Sequence, residues 1–189
     1  MKILYTLNSL QALSRSQIQH MFDLGSKRNA NRVLQGIREY VHTKRIVEDV
    51  YYLNKKGADM VAGEATIRRN SPLEHIVMRN DIYIFYHYPR DWKAEAKTRW
   101  AEDGKEYHVV SDARFKYHDL LYFLEVDNTQ KMIENRRKIE KYMRLFRTIE
   151  KKRLGDPILL FYTLSDTRKK QLESWCREDG VRCEVLVKG

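Results

Sequence analysis

The chain has 189 residues, enough for one large domain or two small ones, and its hydrophobic content of 42% permits a buried core. Its formal charge of +10 and pI of about 9.5 favour a polyanionic partner, nucleic acid first and an acidic membrane surface second. No apolar run is long enough to cross a bilayer, the N-terminus is too polar for a signal peptide, and the two cysteines lack CxxC spacing. We therefore expect a cytoplasmic protein with reduced thiols and no membrane partner, and we exclude a disulfide framework and a cysteine zinc site.

The first part of the chain has the pattern of three short helices followed by a β-hairpin. After an opening stripe of apolar residues at helical spacing, Ser14 and Gln17 form a capping box for a second helix, and Ser26 caps a third. The stretch RIVEDVYYLNKKG then alternates and is rich in Val and Tyr, which predicts a hairpin with its turn at residues 48–49. Gly57 is expected to end that hairpin.

This order of elements is that of a winged helix-turn-helix domain, which we assign to residues 1–62. In such a domain the third helix enters the major groove of duplex DNA. Its outward face carries Arg, Asn and Gln, which can bond base edges, and Lys and Arg flank the hairpin, where they suit phosphates. The predicted DNA-binding residues are Lys27, Arg28, Asn29, Asn31, Arg32, Gln35, Arg38, Lys44, Arg45, Lys55 and Lys56. The alternative is a solvated basic face, which is weaker because the cluster opens the one helix whose position predicts groove contact.

A change in composition marks the predicted boundary between two domains. Residues 63–72 contain few large apolar side chains but include Gly63 and Pro72, so we assign them as a linker. From Leu73 the patterns predict a helix, three strands, a helix, a strand, a helix and a strand, with DWKAEAKTRW as the first strand. We therefore expect a mixed α/β (α+β) chain whose second domain covers residues 73–189.

Three acids, Asp112, Glu125 and Asp127, lie in or beside predicted strands, where carboxylates are disfavoured. Side chains alternate along a strand, so Glu125 and Asp127 share a face, and antiparallel pairing through a turn at residues 118–119 brings Asp112 to the same end of the sheet. Converging carboxylates repel one another unless a cation neutralises them, and oxygen ligands suit Mg²⁺ or Mn²⁺. Asp112 and Glu125 are thus candidate metal ligands, and a metal there could activate water for attack on a phosphodiester.

An acid in one strand and an acid-x-acid in the next, inside a helix, three strands, helix and strand, resembles the PD-(D/E)XK nuclease superfamily. That resemblance implies a restriction-endonuclease-like αβββαβ core. More closely, the segments YYLNKKG, SDARF, YFLEVDN and KIEKYMRLF resemble the replication-relaxation family over nearly all of the chain. Members of that family occur on plasmids, integrative elements and phages.

The resemblance implies a sequence-directed, duplex-DNA-binding accessory or regulatory factor in mobile-element replication, mobilisation (DNA relaxation) or transcription. Its implied partners are double-stranded DNA and replication or relaxase proteins of the element. Two functional alternatives stay open, a Mg²⁺-dependent endonuclease or nickase targeted by the winged helix, and a dimeric transcriptional repressor that forms a homodimer through its second domain.

The sequence departs from the active nuclease pattern at two positions. Ser111 stands where the superfamily often has proline, which matters little, and Asp127 stands where the superfamily places a lysine. Lys131 or Lys116 would have to replace that lysine. If the site is active, the resemblance implies catalytic roles for Asp112, Glu125, Asp127 and Lys131 with Mg²⁺ or Mn²⁺ as cofactor. Otherwise the acids are a degenerate metal site, or they pair with Arg114, Lys116 and Arg136. We expect one of these two non-catalytic arrangements rather than an enzyme, since fold does not carry function with it.

A long, strongly basic helix is predicted from about residue 130 to residue 151, capped by Asn128 or Thr129. Its basic face is either merely solvated or a second surface for phosphates, and we prefer the second interpretation. The residues of this second basic surface are Arg136, Arg137, Lys141 and Arg144.

Overall fold

A computed structural model describes residues 1–63, 67, 72–128 and 130–189. The chain divides into two compact units, Met1–Ile84 and Phe85–Gly189. Within the described ranges the protein is mixed α/β, as expected, with seven α-helices and two β-sheets. None of the helices in these ranges combines the length and the apolar character that a membrane crossing requires.

The first unit is built from short helices and a three-stranded antiparallel sheet of order β1-β3-β2. The sheet pairs the hairpin formed by β2 and β3 with β1, a short strand that the sequence patterns did not predict. Its elements are α1 (Lys2–Leu10), β1 (Ala12–Ser14), α2 (Arg15–Met21), α3 (Lys27–Gln35), a 3₁₀ turn (Arg38–Tyr40), β2 (Val41–Arg45), β3 (Asp49–Leu53), α4 (Lys55–Met60) and α5 (Leu73–Phe85).

Side-chain caps fix the starts of α2 and α3, as the sequence predicted. The Ser14 hydroxyl accepts from the Gln17 backbone N–H at 3.2 Å, and the Gln17 side chain accepts from the Ser14 N–H at 3.0 Å. The Ser26 hydroxyl accepts from the Asn29 N–H at 3.2 Å. Each cap satisfies a main-chain donor that the first helical turn leaves free.

The hairpin does not end at Gly57, which was expected to close it. Residues 55–60 form helix α4 instead, because the Asn54 side chain caps it by accepting from the Gly57 N–H at 2.9 Å. A side chain at position 57 would place its Cβ 2.0 Å from the Tyr40 carbonyl oxygen, so only glycine lets α4 pack this closely against the preceding turn. Lys55 and Lys56 therefore lie on a helix rather than on the flank of a wing.

Helix α5 belongs to the first unit, although the sequence assigned it to the second. The boundary falls after Ile84, and the expected linker at 63–72 lies mostly outside the described residues. The buried Asn80 side chain donates to the carbonyl oxygens of Leu10 at 2.9 Å and Ala12 at 2.7 Å. The Leu10 carbonyl lies at the end of α1 and the Ala12 carbonyl just after it, and α5 supplies each with a donor.

The second unit contains a five-stranded sheet of order β4-β5-β6-β7-β8. Its first three strands are antiparallel, and β6, β7 and β8 are parallel, with a helix in each crossover. The elements are β4 (Lys93–Glu102), β5 (Lys105–Tyr117), β6 (Leu120–Asp127), α6 (Met132–Lys151), β7 (Asp156–Thr163), α7 (Asp166–Glu178) and β8 (Cys183–Val187). This is the predicted order from the first strand onward. The prediction that Asn128 caps α6 was wrong, since the N-cap residue is Lys131, whose side chain makes no capping hydrogen bond. The alternative cap, Thr129, lies outside the described residues.

Helices α6 and α7 cover one face of this sheet. Ile139 and Phe146 of α6 and Leu172 of α7 pack in one core cluster with Phe123 of β6 and Phe161 of β7. Side chains of β6 alternate, so the face that carries Phe123 also carries positions 125 and 127. Two carboxylates thus point into a helix-covered interior, where each needs a hydrogen-bonded partner.

Candidate functional site

The outward face of α3 is exposed and polar. Ala30 is fully buried and Leu34 is nearly so, and both pack α3 against the rest of the first unit. The side chains on the opposite face are exposed, and they are Lys27, Arg28, Asn31, Arg32 and Gln35. Arg and Asn on an open helix face can offer paired donors to the edges of guanine and adenine.

Asn29 lies apart from these residues although the sequence grouped it with them. Its side chain is half-buried, donates to the Leu24 carbonyl at 2.9 Å and accepts from Arg32 at 2.8 Å. Both ends of the amide are engaged within the protein. Asn29 therefore orients the Arg32 guanidinium and fixes the chain before α3, and it is not placed to contact a ligand itself.

Basic side chains around the hairpin differ in how far they are engaged. Lys44 is exposed, whereas Arg45 pairs with Asp49 at 3.2 Å and Lys56 pairs with Glu39. Exposed lysines contact phosphates at lower cost than lysines that must first leave a carboxylate. Arg38 and Lys55 are likewise exposed.

The tip of the hairpin is tied to the start of α2. Glu48 accepts from Arg15 at 2.8 Å and from the Ser16 backbone N–H at 3.2 Å, and it also bonds the Ser16 hydroxyl. A carboxylate at the N-terminus of a helix is further favoured by the helix dipole. The hairpin and α2 are therefore held in a fixed relation.

In the second unit, Glu125 lies in a polar pocket within the core and is 1% exposed. Its two carboxylate oxygens accept from Tyr142 at 2.6 Å and from the Lys138 ammonium at 2.5 Å. Burial, and next the charge of Asp112, raise the pKa of Glu125 to about 7, against the opposing influence of Lys138 and Tyr142. Burial acts to lower the pKa of Lys138, but the carboxylates around it outweigh burial and raise that pKa.

Asp112 and Glu125 share one end of the β5–β6 pair, as the sequence predicted. The Asp112 carboxylate accepts from the Val126 backbone N–H at 2.7 Å, and its charge raises the pKa of Glu125. This proximity follows from the register that pairs Ala113 with Leu124 across the two-residue turn.

Asp127 is fully buried and forms a separate network. Arg168 of α7 donates to both of its oxygens, at 2.6 and 2.5 Å, and Asn135 and Thr163 each donate at 2.7 Å. Burial acts to raise the pKa of Asp127, but the hydrogen bonds from Arg168, Thr163 and Asn135 outweigh it and lower that pKa. Arg168 and Asp127 thus form a two-pronged pair between a guanidinium and a carboxylate.

The sequence matches the family model described as replication-relaxation over residues 4–156, which is most of the chain. The chain belongs to the replication-relaxation family. Among solved structures, protein VC1899 from Vibrio cholerae is similar at 12% identity with a TM-score of 0.42; the match covers 96% of this chain and 46% of that one. This chain therefore spans less than half of that protein's length. No curated protein matches the sequence.

In this replication-relaxation protein, the cations that meet the acids are not those expected from the sequence. Arg114 donates to Thr98, and Arg136 bonds Asp179 and the Trp175 carbonyl. The Lys116 backbone N–H donates to Asp91, and Lys131 is the exposed N-cap of α6. Lys138 is the partner of Glu125 and Arg168 the partner of Asp127, and the sequence patterns predicted neither pairing. For Lys138 the available signal was that two polar residues, Asn135 and Lys138, interrupt the apolar stripe of α6.

The side chains around Glu125 do not fit a metal ion. Both oxygens of Glu125 already accept hydrogen bonds, and the Lys138 ammonium supplies the positive charge that converging carboxylates require. Over the ranges that the structure describes, no three His, Cys, Asp or Glu side chains form a group that could hold a metal. Glu125 and Asp127 are thus each paired with a cationic side chain of the same unit.

Proposed function

We propose that this replication-relaxation protein binds duplex DNA through its first unit, which we interpret as a winged helix. The chain order of a helix, a short strand, two helices and a hairpin, with the short strand completing the sheet, supports this interpretation. In a winged helix, the helix corresponding to α3 lies in the major groove and the hairpin contacts the backbone.

The observation that carries the proposal is the exposed face of α3. Arg28 and Asn31 extend from a helix that is capped by Ser26 and anchored by buried apolar residues, so their backbone positions are fixed before binding. A fixed helix loses little entropy on binding, and its Arg and Asn side chains can discriminate guanine and adenine. Lys27 beside them, and Lys44 on the hairpin, would contact phosphates.

The protein acts, in this proposal, as an accessory or regulatory factor in the replication, mobilisation or transcription of a mobile element. Family membership indicates a role in replication or relaxation. The internal ion pairs of Glu125 and Asp127 favour DNA binding without cleavage. Replication or relaxase proteins of the element are the proposed protein partners.

The test is a binding measurement on a duplex selected from a random pool by the full-length protein. Arg28→Ala should weaken the selected duplex by about 5- to 150-fold, which corresponds to about 1–3 kcal/mol, and should weaken a scrambled duplex much less. Arg147→Ala, an exposed arginine on α6, is the matched control and should leave both affinities unchanged. Equal affinities for Arg28→Ala and the unaltered protein would remove α3 from the interface.

The same full-length protein is used to test the alternative that it is a Mg²⁺-dependent endonuclease or nickase. Supercoiled and linear DNA are incubated with Mg²⁺ or Mn²⁺ and the protein, and no cleavage is expected. Cleavage that Glu125→Gln abolishes would contradict the non-catalytic assignment of the acids.

A further inference from the structure

A cleft of about 470 Å³ lies in the second unit between the β4–β5 hairpin and α6. Trp100 of β4 and Tyr107 of β5 form one wall; they are paired across the strands, with rings 5.6 Å apart and nearly parallel. Basic residues of α6 form the other wall, among them Lys138, Lys141 and Arg144. The duplex-binding face of α3 is in the other unit, so this cleft is a feature that the proposed function does not use.

The cationic wall is only partly neutralised. Arg137 pairs with Glu134 at 2.7 Å, and Lys138 pairs with Glu125. Lys141 and Arg144 are exposed, and within the described part of the chain neither forms an ion pair, although Glu140 also lines the cleft. Two cations one helical turn apart therefore remain available to an anionic ligand.

The aromatic wall consists of the stacked Trp100 and Tyr107 rings, with the Arg144 guanidinium over Tyr107. Trp100 is 8% exposed and its indole N–H is buried, so Trp100 contributes to this wall through its ring. The guanidinium carbon of Arg144 lies over the Tyr107 ring, 5.7 Å from its centre, so the guanidinium group covers this part of the wall.

We propose that this cleft binds a segment of single-stranded DNA. Phosphates would lie on Lys141 and Arg144, and a base would stack on the Arg144 guanidinium, which lies over the Tyr107 ring. A cleft of this volume is about 10 Å across if taken as a sphere, which holds a nucleotide but excludes a duplex. An acidic peptide would satisfy the cations but would have no use for a stacking plane, so a nucleic-acid strand fits better.

The first experiment measures the affinity of the full-length protein for a dye-labelled oligothymidine strand over a range of salt concentrations. Lys141→Ala/Arg144→Ala should weaken binding at least tenfold and reduce the slope of log affinity against log salt by about 1.4, since each phosphate contact on a single strand contributes about 0.7. Arg147→Ala/Lys151→Ala removes two exposed cations of the same helix outside the cleft and should change neither quantity.

The second experiment detects ligand beside Trp100 directly. The protein contains three tryptophans, so Trp92→Phe/Trp175→Phe leaves Trp100 as the single indole. Saturating oligothymidine should change its fluorescence, and a duplex carrying the selected site should not. An unchanged signal at saturation, or equal weakening by both α6 double variants, would overturn the proposal. Displacement of the strand by polyglutamate at equal charge would also overturn it, in favour of a site for acidic proteins.

The two proposals fail separately. Arg28→Ala should leave oligothymidine binding intact, and Lys141→Ala/Arg144→Ala should weaken oligothymidine binding much more than binding of the selected duplex. If Arg28→Ala abolishes single-strand binding while the cleft variant does not, the strand binds α3 and the cleft proposal is wrong. Loss of duplex recognition by the cleft variant alone would contradict the α3 proposal instead.

Discussion

Replacing Lys138 with methionine should destabilise the second unit, and the loss should grow with pH. Methionine keeps most of the aliphatic volume of lysine but removes the ammonium that bonds Glu125 at 2.5 Å. Glu125 is 1% exposed, so a carboxylate without this partner would remain in the core with Tyr142 as its one side-chain donor among the described residues. Breaking a buried ion pair by removing one member costs about 3–5 kcal/mol, and the partial exposure of Lys138 favours the lower end.

The pH dependence follows from the raised pKa of Glu125. A carboxyl group with a pKa of about 7 in the folded chain and 4.5 when unfolded binds more protons in the folded state, so stability falls as pH rises from about 4.5 to 7. That difference corresponds to about 3 kcal/mol. Without Lys138 the pKa of Glu125 rises further, and stability continues to fall above pH 7. The difference between variant and unaltered protein should thus be small at pH 5 and should reach about 3 kcal/mol at pH 8.5.

The assay is urea unfolding followed by tryptophan fluorescence at pH 5 and pH 8.5. All three tryptophans lie in the second unit, so the signal reports the unit that carries Glu125, and they are Trp92, Trp100 and Trp175. Lys141→Met, an exposed lysine on the same helix, is the control and should have little effect at either pH. A Lys138→Met loss that is equal at both pH values, or absent, would refute the assignment of Lys138 as the counter-charge of a buried Glu125.

Two further substitutions test the other close contacts. Arg168→Gln removes both guanidinium donors from the buried Asp127 and should cost about 3 kcal/mol at pH 7 by the same urea assay. Because the pKa of Asp127 is lowered in the folded chain, its stabilising contribution is present above the unfolded value of 3.8 and is lost as pH falls below it, so this difference should shrink below about pH 4. Gly57→Ala sets a Cβ against the Tyr40 carbonyl at 2.0 Å and should cost at least about 2 kcal/mol, seen as faster hydrogen exchange in peptides of the first unit.

Each of these has a matched control. Lys170→Gln removes an exposed cation from the same helix as Arg168, and Asp59→Ala introduces the same alanine on the exposed side of α4. Both should be nearly neutral. Equal effects of Arg168→Gln and Lys170→Gln would show that the fork contributes nothing, and unchanged exchange in Gly57→Ala would show that α4 can move away from Tyr40 without loss.

Local signals were enough to predict most secondary-structure elements. Ser14 with Gln17 and Ser26 marked helix starts, because a cap acts on backbone groups within three residues. The turn at residues 118–119 fixed the register of β5 and β6, and this placed Asp112 beside Glu125 before any tertiary contact was known.

The features that the sequence did not predict depend on contacts between distant segments. Asn80 bonds carbonyl groups about seventy positions earlier, so the assignment of α5 to the first unit could not be obtained from its own pattern. Arg168 lies on α7, 41 positions after its partner Asp127 at the end of β6. The pairing of Lys138 could have been suspected, since a lysine within the apolar stripe of α6 must either reach solvent or meet a charge.

The paired charges beneath α6 and α7 restrict how this protein can change over generations. Substituting Asp127 alone leaves the Arg168 guanidinium without its carboxylate, and substituting Arg168 alone leaves the carboxylate without its cation. A lineage that exchanges this fork for an apolar contact must therefore pass through a less stable intermediate or alter both codons together. The same applies to Glu125 and Lys138. Each acid can therefore be retained together with its cation for stability alone, without any role in binding a ligand.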